Sequence, residues 1–97
     1  MKTLEEILEV LRSHKEEIRK RFKAEVIGVF GSFSRGEENE ESDVDLLVRF
    51  LPGASLFDLV ALADYLEEKL GMKVDIVSER VLREELRERV MRDLVKL

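Results

Sequence analysis

The sequence contains no cysteine and only one histidine, so several kinds of functional site are excluded from the start. Without cysteine the chain can form no disulfide, no thiolate metal site and no thiol nucleophile. It also has no apolar run near the ~20 residues needed to cross a bilayer. Acidic residues interrupt the apolar ones in its first stretch, "MKTLEEILEVLRS", which argues against a signal peptide. We therefore expect a cytoplasmic protein with no membrane association.

Basic residues are fewer than acidic ones. The chain has 22 Asp and Glu against 17 Lys and Arg, which gives a net charge of −5. A negative balance argues against direct binding to long nucleic acids, which usually requires a basic surface. Charged residues make up 40% of the chain, a share that suits a thermophilic source, although charged helix surfaces alone explain it equally well.

Hydrophobic periodicity predicts three long helices. Thr3 and Glu6 form a capping-box pattern, and apolar residues at helical spacing follow as far as Phe22, which predicts one opening helix. Ser55 begins a second helix with the same kind of cap and with Gly71 after its last turn. Residues 78–97 are predicted to close the chain as a third helix.

Three short runs of β-forming residues predict the strands of a small sheet. They are "EVIGVF", "DVDLLVRF" and "MKVDIV", and a polar loop and a turn separate them from the neighbouring elements. The predicted order is α-β-(short α)-β-α-β-α. We expect one domain spanning residues 1–97, a two-layer α+β fold with a mixed three-stranded sheet flanked by helices.

The second strand carries two acids in a run that is otherwise typical of a buried strand. Side chains alternate along a strand, so Asp43 and Asp45 point to the same face, ~6.6 Å apart at their backbones. Asp75 lies in the third strand and completes a three-carboxylate cluster if the two strands are neighbours. Such a cluster suits Mg²⁺, and we expect two ions, as two-metal phosphoryl transfer requires. The alternative is surface acids at a strand end; Ser42 either contacts the nucleotide or shapes the start of the strand.

The segment "GSFSRG" precedes this strand and is suited to binding an anion. Gly31 allows a sharp exit from the first strand, and Ser32 offers a hydroxyl and a backbone N–H. If a short helix begins at Ser32, its free amides face a group such as a triphosphate. Arg35 either adds phosphate contacts or forms a surface salt bridge with Glu37 or Glu38.

These motifs together resemble the nucleotidyltransferase superfamily related to DNA polymerase beta. "GSFSRG" is followed after five residues by "SDVDLLV" and later by "VDIV", and this combination is most similar to the minimal nucleotidyltransferase (MNT) proteins. The resemblance covers most of the chain. It implies the nucleotidyltransferase fold and transfer of AMP from ATP to a hydroxyl with release of pyrophosphate. It also implies that Gly31 and Ser32 hold the triphosphate, that Asp43 and Asp45 bind Mg²⁺, and that Asp75 completes the metal site.

The resemblance also implies a protein partner. Many small MNT proteins are antitoxins to a helical HEPN-domain toxin, and some add AMP to a tyrosine of that toxin. The chain has no extra domain of the kind that larger relatives use to bind their acceptors, so we expect a separate protein as the acceptor. The alternatives are a non-catalytic antitoxin that occludes its partner and a small-molecule nucleotidyltransferase. Apolar residues on the last helix are compatible with a homo- or hetero-oligomer.

Overall fold

The protein folds into a four-stranded sheet of mixed direction, with α1, α2 and α4 packed on one face. The computed structural model describes residues 2–97. In chain order, the elements are α1 (Leu4–Ser13), α2 (Lys15–Phe22), β1 (Ala24–Phe30), α3 (Ser32–Arg35), β2 (Val44–Phe50), α4 (Leu56–Leu70), β3 (Val74–Ser78), a 3₁₀ turn (Glu79–Val81), α5 (Glu84–Asp93) and β4 (Val95–Lys96). The predicted α+β fold with a mixed sheet is confirmed, with four strands rather than three.

The strand order is β3-β2-β1-β4, which places the two acid-bearing strands side by side. β1 is antiparallel to β2 and to β4, whereas β2 and β3 run parallel. In the register of β2 and β3, Asp45 lies opposite Asp75, and in the register of β1 and β2 it lies opposite Phe30. The topology therefore brings distant parts of the chain together around Asp45.

The alternation of β2 explains which face of the sheet meets the helices. Val44, Leu46 and Val48 are fully buried and belong to the main apolar core, while Asp45 between them is only partly buried. The helices contribute apolar stripes to the same core, namely Ile7, Leu8, Leu11, Ile18, Phe22, Leu62, Tyr65, Leu66 and Leu70. Burial of these side chains fixes the register of β2, because a slip by one residue would move its aspartate into the core.

Two of the predicted helix ends are confirmed in atomic detail. At the start of α1, the Thr3 backbone N–H donates to Glu6 Oε1 over 2.9 Å, and the Glu6 N–H donates to Thr3 Oγ1 over 3.2 Å. α4 ends at Leu70 and is capped by Gly71, whose φ of 67° is left-handed. Within residues 2–97, no helix is both long enough and apolar enough to cross a membrane.

The prediction of one continuous opening helix was wrong, because His14 interrupts it. With φ −106° and ψ 9°, His14 leaves the helical region and separates α1 from α2. Its Nδ1 lies 2.8 Å from the Val10 carbonyl oxygen, and its ring packs edge-on against Tyr65 at 5.9 Å between centroids. His14 is therefore partly buried at the junction of the two helices.

The prediction of a helix over residues 78–97 was also wrong at both ends. α5 occupies only its middle, and the chain then forms β4 against Gly28 and Val29 of β1. This pairing depends on the absence of a side chain at Gly28, since a Cβ there would overlap the Val95 carbonyl oxygen. On α5, Val90 is buried but Leu86 and Met91 are exposed.

Candidate active site

Asp45 and Asp75 lie opposite each other on adjacent parallel strands. Register partners in a parallel pair project from the same face of a sheet, here the face opposite the main core. Asp43 directly precedes β2 and, two residues before Asp45, falls on the same side. Asp43 and Asp75 are exposed, and Asp45 is partly buried. The structure thus places both Asp43 and Asp75 near enough to Asp45 for their charges to act on its carboxyl.

Asp45 lies in an electrostatically unfavourable position. The pKa of its carboxyl is raised from 3.8 to about 6. Burial is the largest cause, and the negative charges of Asp75 and Asp43 add to it, while the positive charge of Arg35 lowers the pKa by a smaller amount. Burial and like charges both disfavour an ionised carboxylate, so the negative charge of Asp45 is not fully balanced by the surrounding protein. A cation at this position would relieve both effects.

The Gly31–Ser32 turn packs directly against the Asp45 carboxylate. Gly31 has φ 76° and ψ −152°, a conformation that side chains rarely adopt, and a Cβ at this position would overlap Asp45 Oδ2. α3 begins at Ser32, as predicted, and the Ser34 hydroxyl donates to the Gly31 carbonyl oxygen over 2.7 Å. Gly36 ends this short helix with φ 72°. The backbone can therefore approach the carboxylate closely only because residue 31 is glycine.

Arg35 points from α3 toward two carboxylates. Its Nε donates to Glu37 Oε1 and its Nη1 to Asp93 Oδ2, both over 2.6 Å. Of the two alternatives for this residue, the salt bridge with Glu37 is formed. The contact with Asp93 was not predicted, since 58 residues separate the two and no local pattern connects them.

Ser42 organises the turn that leads into β2. Its hydroxyl accepts a hydrogen bond from the Asn39 N–H over 2.9 Å, and its own N–H donates to the Asn39 carbonyl oxygen over 3.0 Å. These bonds correspond to the structural alternative considered for this residue. They fix the chain immediately before Asp43 and so help to orient the first of the three acids.

The carboxylate oxygens on this face of the sheet are the type of ligand that a hard divalent cation prefers. Carboxylate oxygens are the ligands that Mg²⁺ prefers, and Asp45 is a partly buried carboxylate with two acidic neighbours. In residues 2–97 no three His, Cys, Asp or Glu side chains are gathered tightly enough to hold a metal ion as they stand. Because like charges repel at short range, these carboxylates are expected to approach one another closely only when a cation lies between them.

Replacing Asp45 with Asn should stabilise the protein at pH 8 but not near pH 4. The folded pKa of about 6 lies above the unfolded value of 3.8, so between these values the folded state binds a proton that the unfolded state does not. Stability contributed by this group therefore falls as the pH rises from about 4 to about 6. After discounting for solvent screening of a partly exposed group, we expect Asp45→Asn to gain about 1–2 kcal/mol at pH 8. Urea unfolding at several pH values measures the gain.

The matched control for this prediction is Asp64→Asn on α4. Asp64 is exposed and forms no hydrogen bond or ion pair within residues 2–97, so its replacement should change the free energy of unfolding by less than about 0.5 kcal/mol at either pH. If Asp45→Asn raises the free energy of unfolding equally at pH 4 and pH 8, the ionised carboxylate is not the cause of the increase.

Comparison with known proteins gives one consistent result. Residues 11–97 match the family described as nucleotidyltransferase domain. The chain is 47% identical over 95 residues to the protein adenylyltransferase MntA of Thermococcus cleftensis, covering 98% of this chain and 96% of that protein. A solved structure provisionally described as a minimal nucleotidyltransferase superposes with a TM-score of 0.74 at 47% identity, covering 93% of this chain and 95% of that one. A toxin–antitoxin structure with AMP-PNP superposes with a TM-score of 0.69 at 27% identity, covering 93% and 68%.

Proposed function

Since this chain belongs to the nucleotidyltransferase domain family and is a nucleotidyltransferase of the minimal type, we propose that it transfers AMP from ATP to a hydroxyl of a partner protein in a Mg²⁺-dependent reaction. One observation carries the proposal. The carboxylates of Asp45 and Asp75 share one face of the sheet, and the Gly31–Ser32 turn packs directly against Asp45. An acidic pair beside a tight glycine turn is what a metal-assisted transfer from a triphosphate requires.

In this proposal the aspartates bind the metal and the glycine turn binds the nucleotide. Asp43, Asp45 and Asp75 would hold Mg²⁺, which when bound supplies positive charge against the charge that develops on the phosphates. Gly31 and Ser32 would bind the triphosphate through backbone N–H groups and a hydroxyl. We expect two ions, because three carboxylates offer more ligands than a single hydrated Mg²⁺ usually takes from a protein.

The proposed reaction exchanges one P–O bond for another. The acceptor oxygen forms a bond to the α-phosphorus, the bond from the α-phosphorus to the bridging oxygen breaks, and pyrophosphate leaves with that electron pair. The proton of the acceptor hydroxyl passes to a carboxylate, for which Asp75 is our candidate. Its exposure supports this role, because an acceptor from another molecule can reach it.

We further propose that the partner is the HEPN-domain toxin of a toxin–antitoxin pair. The similarity to a toxin–antitoxin structure with AMP-PNP supports this assignment, as does the similarity to a protein adenylyltransferase. The surface offers a place for protein contact, since Leu56, Phe57 and Val60 of α4 are exposed and Phe57 is 86% exposed.

Labelling of the partner tests this function directly. Incubation with the HEPN-domain partner, α-labelled ATP and Mg²⁺ should label the partner protein, and a chelator should abolish the labelling. Label on a small hydroxylated acceptor but not on the partner would contradict the proposal. So would transfer that continues at full rate in excess chelator.

Neutralisation by occlusion is a second candidate, favoured by the exposed apolar residues Leu56, Phe57 and Val60 of α4, which a bound partner would cover without any transfer reaction. In that case Asp43→Asn/Asp45→Asn would still neutralise the toxin in cells. Under the catalytic proposal, this double variant should fail to neutralise the toxin while still binding it in a pull-down. Growth rescue by the double variant would therefore decide for occlusion.

A further inference from the structure

A cleft of about 380 Å³ lies between α3 and α5, next to the candidate active site. Gly31 and Arg35 form part of one wall, and Arg89, Arg92 and Asp93 form part of the other. Gly31 is also the residue that packs against the partly buried carboxylate of β2. Gly31 therefore belongs to both the cleft and the carboxylate site, and the two are adjacent.

The charged side chains of the cleft leave an excess of positive charge. Arg35 is paired with Asp93 at 2.6 Å. Arg89 and Arg92 are exposed, and neither forms an ion pair within residues 2–97. Two guanidinium groups without an ion pair thus line one small cleft in a chain whose net charge is −5. A local positive charge of this kind attracts anions despite the overall negative charge.

The pair of Arg35 and Asp93 ties the two walls of the cleft together. Asp93 is the last residue of α5, and its contact with Arg35 joins that helix to the helix that follows the Gly31 turn. Arg35 uses its Nε and one terminal nitrogen for Glu37 and Asp93, so its other terminal nitrogen is available to a ligand. The distance between the walls is therefore set by a contact inside the cleft itself.

We propose that this cleft binds the β- and γ-phosphates of the nucleotide, with Arg89 and Arg92 as additional phosphate-binding residues. The inference rests on the proposed function, in which the three aspartates hold Mg²⁺ and Gly31 and Ser32 bind the triphosphate. Guanidinium groups bind phosphate oxygens with paired, charge-assisted hydrogen bonds, and an exposed cleft with two of them suits a polyphosphate better than a neutral ligand. The cleft would then select triphosphates over monophosphates.

Competition binding with tripolyphosphate tests the cleft without any transfer step. A fluorescent ATP analogue is bound to the full chain with Mg²⁺ and displaced by tripolyphosphate or by AMP. We expect Arg89→Ala/Arg92→Ala to weaken tripolyphosphate binding by about tenfold or more, the effect of losing one good charge-assisted contact, while AMP binding changes less than about twofold. Arg87→Ala is the matched control, because Arg87 lies on the same helix but does not line the cleft.

The outcomes separate this inference from the proposed function. If tripolyphosphate binding depends on Arg89 and Arg92 but no partner is labelled, the cleft is confirmed and protein adenylylation is not. If the double variant binds tripolyphosphate like the wild type, or if Arg87→Ala weakens it equally, the inference is overturned. Loss of partner binding alone in the double variant would also overturn it, in favour of a protein contact. If circular dichroism shows that the alanine variant is not folded, Arg89→Gln/Arg92→Gln gives the same comparison.

Discussion

Asp45→Asn should reduce nucleotide transfer by at least about 10³-fold, which corresponds to about 4 kcal/mol of lost transition-state stabilisation. Asp45 is the central acid of the three, because it lies opposite Asp75 on β3 and two residues after Asp43. An amide at this position keeps the shape of the side chain but provides only one neutral oxygen for a metal ion. The loss should therefore fall on catalysis rather than on folding.

Two measurements distinguish loss of the metal site from loss of the fold. Transfer is followed with labelled ATP, and thermal unfolding is followed with and without Mg²⁺. Mg²⁺ alone should raise the Tm of the wild type and not that of Asp45→Asn, because a ligand stabilises only the state to which it binds. Asp64→Asn should retain both activity and the Mg²⁺ response. Transfer within tenfold of the wild-type rate in Asp45→Asn would show that this carboxylate does not hold the catalytic ion.

Gly31→Ala should destabilise the fold by about 2–4 kcal/mol, since it combines backbone strain with an atomic overlap. The φ of 76° is costly for any residue with a Cβ, and the new Cβ would overlap Asp45 Oδ2. At about 4–8 °C per kcal/mol for a domain of this size, the Tm should fall by about 8–32 °C. Because the Asp45 carboxylate would have to move, transfer should be lost even at temperatures where the variant is folded.

Gly36→Ala gives the cost of a left-handed conformation without an overlap. Gly36 has φ 72° and ψ 24°, and a Cβ there would meet nothing within 4 Å, so its replacement should cost about 1–2 kcal/mol. Gly31, with ψ −152°, lies in a region that is essentially restricted to glycine, so its replacement should cost more through strain as well as through the overlap. Adding Asp45→Ala to Gly31→Ala should recover stability, since the Asp45 Cβ lies 3.4 Å from the added Cβ and only the deleted carboxylate overlaps it. These two substitutions and their combination form a double-mutant cycle. A coupling energy below about 0.5 kcal/mol in that cycle would refute the overlap.

The acids were predictable from the sequence because strand alternation is a local rule. Asp43 and Asp45 share a face whenever residues 43–50 are extended, and the apolar neighbours Val44 and Leu46 indicate which face is buried. The position of Asp75 required the further assumption that β2 and β3 are neighbours. The motif "GSFSRG" likewise indicated a turn at Gly31 and a short helix at Ser32, and both are present.

The features that the sequence did not predict depend on contacts between distant residues. His14 has no proline or glycine beside it to indicate a break, and its conformation is accompanied by packing against Tyr65, which lies 51 positions later. β4 contains only two residues, too few for any periodicity, and forms because Gly28 leaves room for the Val95 carbonyl. The bond between Arg35 and Asp93 likewise joins residues that only the folded chain brings together.

The sheet carries its acids on a face where two of the three remain in contact with bulk water, as the exposure of Asp43 and Asp75 shows. Water competes with any acceptor hydroxyl for an activated phosphorus, and a closed compartment suppresses that side reaction. If this chain transfers AMP, the missing walls of the compartment must come from the acceptor itself. Selectivity would then reside in the match between two protein surfaces, and a small alcohol would be disfavoured because it cannot complete the enclosure.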